Sequence, residues 1–395
     1  MTPSARIQAA IEILDQVITA ARNNGAPADR LVADWFRDHR FAGSKDKRAI
    51  REHVYDAIRA CGPVPASGRT AMLGLVEEQP DLRALFDGSQ YGPPKINPTE
   101  VPAEGGVAPE WLEDRLIASA IGEDDAVALL ARAPLDVRVN TLKASIDGLE
   151  LPVAGEALPV PGALRLPTGT RVEDWDLFAS GTLEVQDAGS QLACMAVGAQ
   201  PGETVVDLCA GAGGKTLALA AAMANEGTLV AADTDRRRLS QLGPRAERAG
   251  ARIAAEVLLD PGKEMAALEE WRGKADRVLI DAPCSGTGTW RRNPEARWRL
   301  SQAELSRLVA IQSRLLEIAA ELVRPGGSIT YVTCSLLDEE GAGQVADFLA
   351  ANPGWQAQTP ELPLGTPRGA GVRLLPSRDG TDGFFIAKIL NRASR

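Results

Sequence analysis

The first part of the chain carries its apolar residues at helical spacing. Ile7, Ile11, Leu14, Ile18 and Ala21 fall three or four positions apart and form one stripe of a helix, which Asn24-Gly25-Ala26-Pro27 ends. Ile50, Val54, Ile58 and Cys61 repeat the pattern up to Gly62-Pro63, and Leu73, Val76, Leu82 and Leu85 extend it. Each stripe must bury against another, so residues 1–86 predict a small helical bundle. Asp87-Gly88, Pro93-Pro94, Pro98, Pro102 and Gly105-Gly106 then mark residues 87–108 as a linker. Residues 109–200 combine a helix, roughly 109–132, with short extended pieces such as Leu135–Val139 and several Gly and Pro turns, which predicts a small α+β module. From 201 to 395 the pattern alternates. Candidate strands at 204–208, 228–232, 252–257, 276–280 and 328–333 interleave with candidate helices at 214–224, 236–249, 301–323 and 338–351. Ser301-Gln302-Ala303-Glu304 has the form of a capping box, and Arg324-Pro325-Gly326-Gly327 reads as a stop. This alternation predicts an α/β, Rossmann-like domain with a doubly wound, mostly parallel sheet. Gly383 to Leu390 adds a last, edge-proximal strand, and no internal repeat is present.

Composition narrows the class without naming a function. A chain of 395 residues has room for two or three domains, and 45% hydrophobic with 24% charged residues is ordinary for a globular protein. No run of 18 apolar residues occurs and Met1-Thr2-Pro3-Ser4-Ala5-Arg6 lacks the form of a secretory signal, so neither a membrane span nor secretion is expected. The five cysteines are widely spaced, no CxxC is present, and the histidines are His39 and His53 alone. That pattern argues against a zinc site and a disulfide framework, and free thiols fit a reducing, cytoplasmic compartment. A net charge of −10 argues against a protein that coats nucleic acid indiscriminately. It leaves room for local basic faces: Arg37, Arg40, Lys45, Lys47, Arg48 and Arg51; Arg236, Arg237 and Arg238; and Arg291, Arg292, Arg297 and Arg299. Each cluster also fits a solvated helix face.

Three turns at strand ends carry the candidate chemistry. The first is glycine-rich, Asp207-Leu208-Cys209-Ala210-Gly211-Ala212-Gly213-Gly214, and lets a ligand approach the main chain. It is not GxxxxGK[ST], because the required first glycine falls at Cys209, and it is not GxGxxG, because Thr216 takes the third glycine position. Asp233 ends the next strand, 22 residues after Gly211, where a carboxylate suits two ribose hydroxyls. Asp260 follows the third strand and suits an adenine amino group. A glycine turn with a ribose acid but no phosphate cradle predicts a nucleoside cofactor such as S-adenosylmethionine. The other two turns, Asp281-Ala282-Pro283-Cys284-Ser285 and Thr333-Cys334-Ser335, each present a cysteine. A thiolate adds to C6 of cytosine or uracil, C5 then behaves as an enamine carbon, and an acid near N3 such as Asp281 stabilises the adduct. Two cysteines at one sheet edge provide one nucleophile and one group to assist release, and spacing does not say which is which. Each alone also fits a small buried apolar residue, the reading given to Cys61, Cys194 and Cys209.

These residues resemble the RsmB/NOP2/Sun-type RNA cytosine-C5 methyltransferases over roughly 134–390. The resemblance lies in Asp207-Leu208-Cys209-Ala210 with Gly213-Gly214-Lys215-Thr216, in Asp281-Ala282-Pro283-Cys284-Ser285-Gly286-Thr287-Gly288, and in Thr333-Cys334-Ser335. Arg138-Val139-Asn140-Thr141-Leu142-Lys143, Gln186-Asp187, Arg291-Arg292-Asn293-Pro294-Glu295 and Asp382-Gly383-Phe384-Phe385 also fit, in the family's order. Departures are Gly211-Ala212, where many members have Ala-Pro, and Gly341, where many have Asn. The resemblance implies a class I methyltransferase domain in which Cys334 attacks C6, Cys284 assists release and Asp281 contacts the base near N3. It implies S-adenosylmethionine contacts from Cys209, Ala210, Gly211, Gly213, Gly214, Lys215, Asp233, Arg238, Asp260, Asp281 and Pro283. The N-terminal segment resembles, more loosely, the NusB-like RNA-binding domain of bacterial 16S rRNA methyltransferases. The expectation is therefore a monomeric enzyme on ribosomal RNA, without metal or membrane. The alternatives are a tRNA substrate, a non-catalytic RNA-binding assembly factor, or a small-molecule methyltransferase. Cys284, Cys334 and Asp281 together speak against the second, and the helical domain with two cysteines against the third.

Overall fold

The computed structural model describes residues 1–392 and divides into two units, Met1–Ala131 with Thr289–Ser301, and Arg132–Gly288 with the chain from Gln302 onward. In the first unit the stripe Ile7, Ile11, Leu14, Ile18 and Ala21 is the buried face of α1 (Pro3–Arg22), whose N-terminus is capped by Thr2. It packs with α2 (Ala28–Asp38), α3 (Ser44–Ala60) and α4 (Gly68–Glu78) around one core that includes Val32, Ile50, Val54, Ile58 and Met72. Leu82 and Leu85 lie on a 3₁₀ turn, Pro80–Leu85, instead of a longer helix. The stretch at 87–108 has neither helix nor strand, and it runs along the bundle: Ala103 N donates to Thr70 O at 2.9 Å and Gly62 N to Glu104 O at 3.1 Å. The expected helix at 109–132 is two short ones, α5 (Glu110–Ala118) and α6 (Glu123–Ala128), broken where Ala120 takes a φ of 58°. Both belong to this unit by their contacts.

Thr289–Ser301 joins the helical unit from far along the chain. Trp298 enters its core and donates from Nε1 to Gly62 O at 3.1 Å. Arg297, with no exposed surface, donates from Nη2 to Ile58 O at 2.6 Å and to Cys61 O at 2.7 Å. It thus satisfies carbonyls at the α3 C-terminus that a helix leaves without partners. Arg299 does the same for Gly25 O at 2.8 Å and Ala26 O at 2.7 Å, beyond the end of α1. Glu295 accepts from Ala28 N at 2.9 Å at the start of α2. The Arg297 and Arg299 guanidinium groups are therefore capping groups of the bundle, and the expectation of one basic face across 291–299 does not hold for them.

The second unit holds two sheets. The smaller is antiparallel, β1 (Leu135–Val139), β2 (Glu156–Ala157), β3 (Ala163–Leu166) and β4 (Leu183–Val185), in the order β2-β3-β1-β4. α7 (Asp176–Ala179) precedes β4, and α8 (Ala188–Val197), capped by Asp187, follows it. The larger sheet is built from β5 (Thr204–Asp207), β6 (Thr228–Asp233), β7 (Ala255–Leu258), β8 (Ala275–Asp281), β9 (Val323–Thr333), β10 (Trp355–Gln358), β11 (Thr366–Arg368), β12 (Gly371–Leu374) and β13 (Phe384–Asn391). Its order is β11-β12-β13-β9-β8-β5-β6-β7, with β10 also on β13. The run β9-β8-β5-β6-β7 is parallel throughout, and β13 pairs antiparallel with β9. The helices between are α9 (Gly214–Ala222), α10 (Arg236–Leu239), α11 (Leu242–Ala249), α12 (Glu264–Leu268), α13 (Gln302–Leu322), α14 (Ala342–Ala351) and α15 (Pro376–Asp379).

The two-residue period of a strand sends alternate side chains to opposite faces, and both faces are covered, as parallel sheets require. Val206, Val230, Val278, Ile329 and Tyr331 pack with Leu315, Leu316 and Leu322 of α13 and Phe348 of α14. Val205, Leu229, Leu279 and Val332 pack with Leu192 of α8 and Leu219 of α9. The α/β, Rossmann-like reading is thus the observed architecture. Three local expectations change. The helix at 236–249 is split into α10 and α11. Arg324-Pro325-Gly326-Gly327 follows the end of α13 at Leu322 as expected, and it also lies within the start of the long strand β9, beside a register shift between Ala275 and Arg277. β13 is interior, because β10 and β12 cover the side that β9 leaves free.

Candidate active site

The parallel strands all point one way, so β5, β6, β8 and β9 deliver Asp207, Asp233, Asp281 and Thr333 to one edge of the sheet. The turns after β5, β8 and β9 are the three that carry the candidate chemistry. After β5 the chain needs glycine at Gly213, whose φ is 88° and where an added Cβ would lie 2.2 Å from Leu242 Cδ1. The same turn fixes Asp233: its Oδ2 accepts from Gly211 N and its Oδ1 from Asp235 N, both at 2.7 Å. A carboxylate held by two amides keeps its remaining lone pairs in one orientation.

A cavity of about 740 Å³ opens at this edge. Cys209, Asp233, Arg238, Asp281, Pro283, Cys284 and Cys334 line it, so the structure brings these sequence-predicted residues together. Ala210, Gly211, Gly213 and Gly214 shape the turn that carries Cys209. Lys215 Nζ reaches Asp281 Oδ2 at 2.6 Å. Burial opposes the Lys215 charge, but Asp281 outweighs it and the ammonium is held well above its ordinary range. Of the predicted cofactor contacts, Ala210, Gly211, Gly213, Gly214 and Lys215 lie beside the cavity and do not line it, and Asp260 points away from it: its side chain is 72% exposed and lies 3.9 Å from Lys263. Its neighbours Leu259, Pro261, Gly262 and Glu264 line the cavity instead, opposite Leu308, Ile311 and Leu315 of α13. These α13 residues fall at helical spacing and read in sequence as plain core, so nothing local marks them as a ligand wall. Fixed carboxylates at Asp233 and Asp281, an apolar slot and the thiols suit a nucleoside with a cationic sulfur. The same carboxylates disfavour a polyphosphate. Among the described residues no group of three or more His, Cys, Asp or Glu is arranged to hold a metal.

The thiol end is held by hydrogen bonds between its two turns. Cys284 Sγ and Cys334 Sγ lie 3.3 Å apart. Adjacent strands β8 and β9 bring the two turns together, and the turns are stitched to each other: Gly288 N donates to Cys334 O at 3.0 Å and Leu336 N to Thr287 Oγ1 at 2.8 Å. Gly288 is obligatory here, since a Cβ would lie 2.1 Å from Gly383 O. The hydrogen bond to Cys334, burial and the charges of Cys334 and Glu340 push the Cys284 thiol well above its ordinary range. Of the remaining cysteines, Cys61 and Cys194 follow the plain reading and are buried, whereas Cys209 lines the cavity. Burial raises Cys61 to about 12 and Cys194 to about 11, and pushes Cys209 well up.

Comparison with known proteins agrees with this geometry. A profile described as 16S rRNA methyltransferase RsmB/F matches residues 194–390. Ribosomal RNA small subunit methyltransferase B of Sodalis glossinidius is 31% identical over 343 residues, 83% of this chain and 77% of that one. The protein of the same name from Enterobacter sp. strain 638 is 35% identical over 346 residues, 83% of this chain and 78% of that one. Among solved structures, PH0851 aligns with a TM-score of 0.73 at 26% identity, covering 98% of this chain and 99% of its own. A methyltransferase homolog from Pyrococcus horikoshii aligns at 0.57 and 27% identity, covering 71% of this chain and 99% of its own. With the three turns, the fold and relatives this similar over most of their length, the chain belongs to the RsmB/NOP2/Sun family of S-adenosylmethionine-dependent methyltransferases.

Proposed function

We propose that the chain methylates C5 of a cytosine in small-subunit ribosomal RNA through a covalent adduct at C6. The observation that carries the reading is the pair of thiols 3.3 Å apart, sharing one cavity with Asp233 and Asp281. A methyltransferase acting on a nitrogen or oxygen needs neither thiol. In this reading Cys334 Sγ forms the bond to C6, which places electron density on C5. Asp281, with Lys215 as counter-ion, contacts the base near N3 and stabilises charge there. S-adenosylmethionine supplies an electrophilic methyl group when bound. After transfer the C5 proton leaves to a base, the C5–H pair forms the double bond, and the C6–S pair returns to Cys334. Cys284, which holds its proton, donates toward that sulfur and assists departure.

The relatives' names point to ribosomal RNA of the small subunit as the substrate. The first unit supports an RNA partner: Arg40, Lys45 and Arg48 are exposed, and Lys47 and Arg51 lie over the Phe36 ring. Such groups contact phosphates, while an unpaired cytosine reaches the thiols. The target base must leave any stack it occupies before C6 is accessible.

The test is Cys334→Ser, assayed with tritiated S-adenosylmethionine on an unmodified small-subunit rRNA transcript and read by bisulfite sequencing. Wild type is expected to give 5-methylcytosine. The variant is expected to lose roughly 10³-fold or more in turnover while binding the cofactor within about twofold of wild type. Turnover at wild-type rates in the variant would remove Cys334 as the nucleophile. Methylation found in tRNA alone would overturn the substrate.

A further inference from the structure

We propose that Glu340 is a positioning residue of this site, whose buried carboxylate pins the turn bearing Cys284 and so holds that thiol against Cys334 for product release. The inference rests on the methyl-transfer reading above, which gives Glu340 no role. Glu340 lies between β9 and α14 with no exposed surface. Its Oε1 accepts from Ser285 N at 2.8 Å and from Gln312 Nε2 at 3.0 Å, and its Oε2 accepts from Ser285 Oγ. The same Gln312 Nε2 donates to Pro283 O at 2.9 Å. Both residues that flank Cys284 are therefore held, one by the carboxylate and one by the amide that the carboxylate orients.

The backbone of Glu340 is held as well: Tyr331 OH, from β9, donates to its main-chain carbonyl oxygen at 2.8 Å. Ser285 Oγ also lies 3.2 Å from Ser335 Oγ, the residue after Cys334. The contact thus ties the residue after one cysteine to the residue after the other. All these donors are neutral. Burying a carboxylate without a cation is costly, and a space-filling role would be met by glutamine or an apolar side chain. A charge is useful at this point because Cys284 must keep its proton while Cys334 reacts. A fixed negative charge beside the Cys284 turn opposes a second negative charge there. Glu340 therefore sets both the place of the thiol and the balance between the two sulfurs.

The test uses Glu340→Gln in the full chain, with two readouts. The first is turnover on the small-subunit rRNA transcript with tritiated S-adenosylmethionine. The maximal rate is expected to fall about tenfold or more, with KM for RNA and cofactor affinity within about twofold of wild type. A protein–RNA adduct through Cys334 is expected to accumulate on denaturing gels. The second readout needs neither RNA nor cofactor: initial rates of iodoacetamide labelling at Cys284 and Cys334, read by peptide mass spectrometry. The Cys284 to Cys334 ratio is expected to rise about fivefold or more in Glu340→Gln. Ser285→Ala, which removes one donor and keeps the carboxylate, is expected to move both readouts the same way by about twofold. A labelling ratio equal to wild type in both variants overturns the proposal, whatever the activity. If wild type makes no 5-methylcytosine, the methyl-transfer reading fails, and the labelling ratio still decides whether Glu340 governs the pair.

Discussion

Asp207 offers a stability test that reads the electrostatics of the cofactor edge directly. It ends β5 with no exposed surface; Thr216 Oγ1 donates to its Oδ2 at 2.7 Å, and its Oδ1 has no hydrogen-bond partner among the described residues. Burial pushes its carboxyl up from 3.8 to about 7, against the lowering effect of the Thr216 hydrogen bond, and the charges of Asp281 and Asp233 add to the rise. At about 1.4 kcal/mol for each tenfold change in proton affinity, that displacement amounts to about 4 kcal/mol. The sign follows from which state binds the proton more tightly. Here the folded state does, so the stabilising contribution is complete below about 3.8 and is lost as pH rises toward about 7. Asn has the same shape, still accepts from Thr216 and does not ionise. Asp207→Asn is therefore expected to equal wild type in stability near pH 3.5, to gain on it through the window up to pH 7, and to lead by about 4 kcal/mol at pH 8. Urea denaturation of both proteins across that range measures the difference. A gap that does not change with pH would refute the reasoning, because it would mean that Asp207 titrates alike in the folded and unfolded chains.

Two further outcomes test other parts of the molecule. Cys284→Ser is expected to accumulate a covalent protein–RNA adduct through Cys334 with a transcript that wild type methylates; absence of the adduct on denaturing gels would remove Cys284 from release. Arg297→Met is expected to destabilise the helical unit by about 3–5 kcal/mol, because it removes the charged hydrogen bonds to Cys61 O and to Ile58 O, which keeps only the 3.4 Å bond from Cys61 N, whereas Arg307→Met, at a 60% exposed side chain, should cost less than about 0.5 kcal/mol. Urea denaturation and limited proteolysis within residues 1–131 distinguish the two.

How much of this was legible in the sequence depends on the range of the interaction that decides each feature. The parallel strands were readable because a strand buried on both faces writes a continuous apolar run, as in Val278-Leu279-Ile280, and the run ends where the polar turn begins. The site was readable for the same reason: each of its turns follows such a run, and a parallel sheet gathers those ends at one edge. Strand order left no such mark, so Gly383 to Leu390 read as an edge-proximal strand, although β10 and β12 flank it. Asp260 read as a cofactor contact from its position and from the resemblance, and its side chain turns to solvent. The larger misses share one cause. Arg297 sits in a run of arginines that looks like a solvated face, yet it is buried on carbonyls some 236 positions earlier. Glu340 closes the triplet Asp338-Glu339-Glu340, which looks like the acidic start of a helix, yet its partners Ser285 and Gln312 lie 55 and 28 positions away. Local pattern assigns a charged residue to water by default, because burial without a partner is prohibitive. When the partner is distant, the default fails, and it fails where polar groups are folded inward to hold a shape. At the thiol end those inward groups are Glu340 and Gln312, which means that the residues hardest to find in the sequence are the ones that set the distance between the two cysteines that were easiest to find.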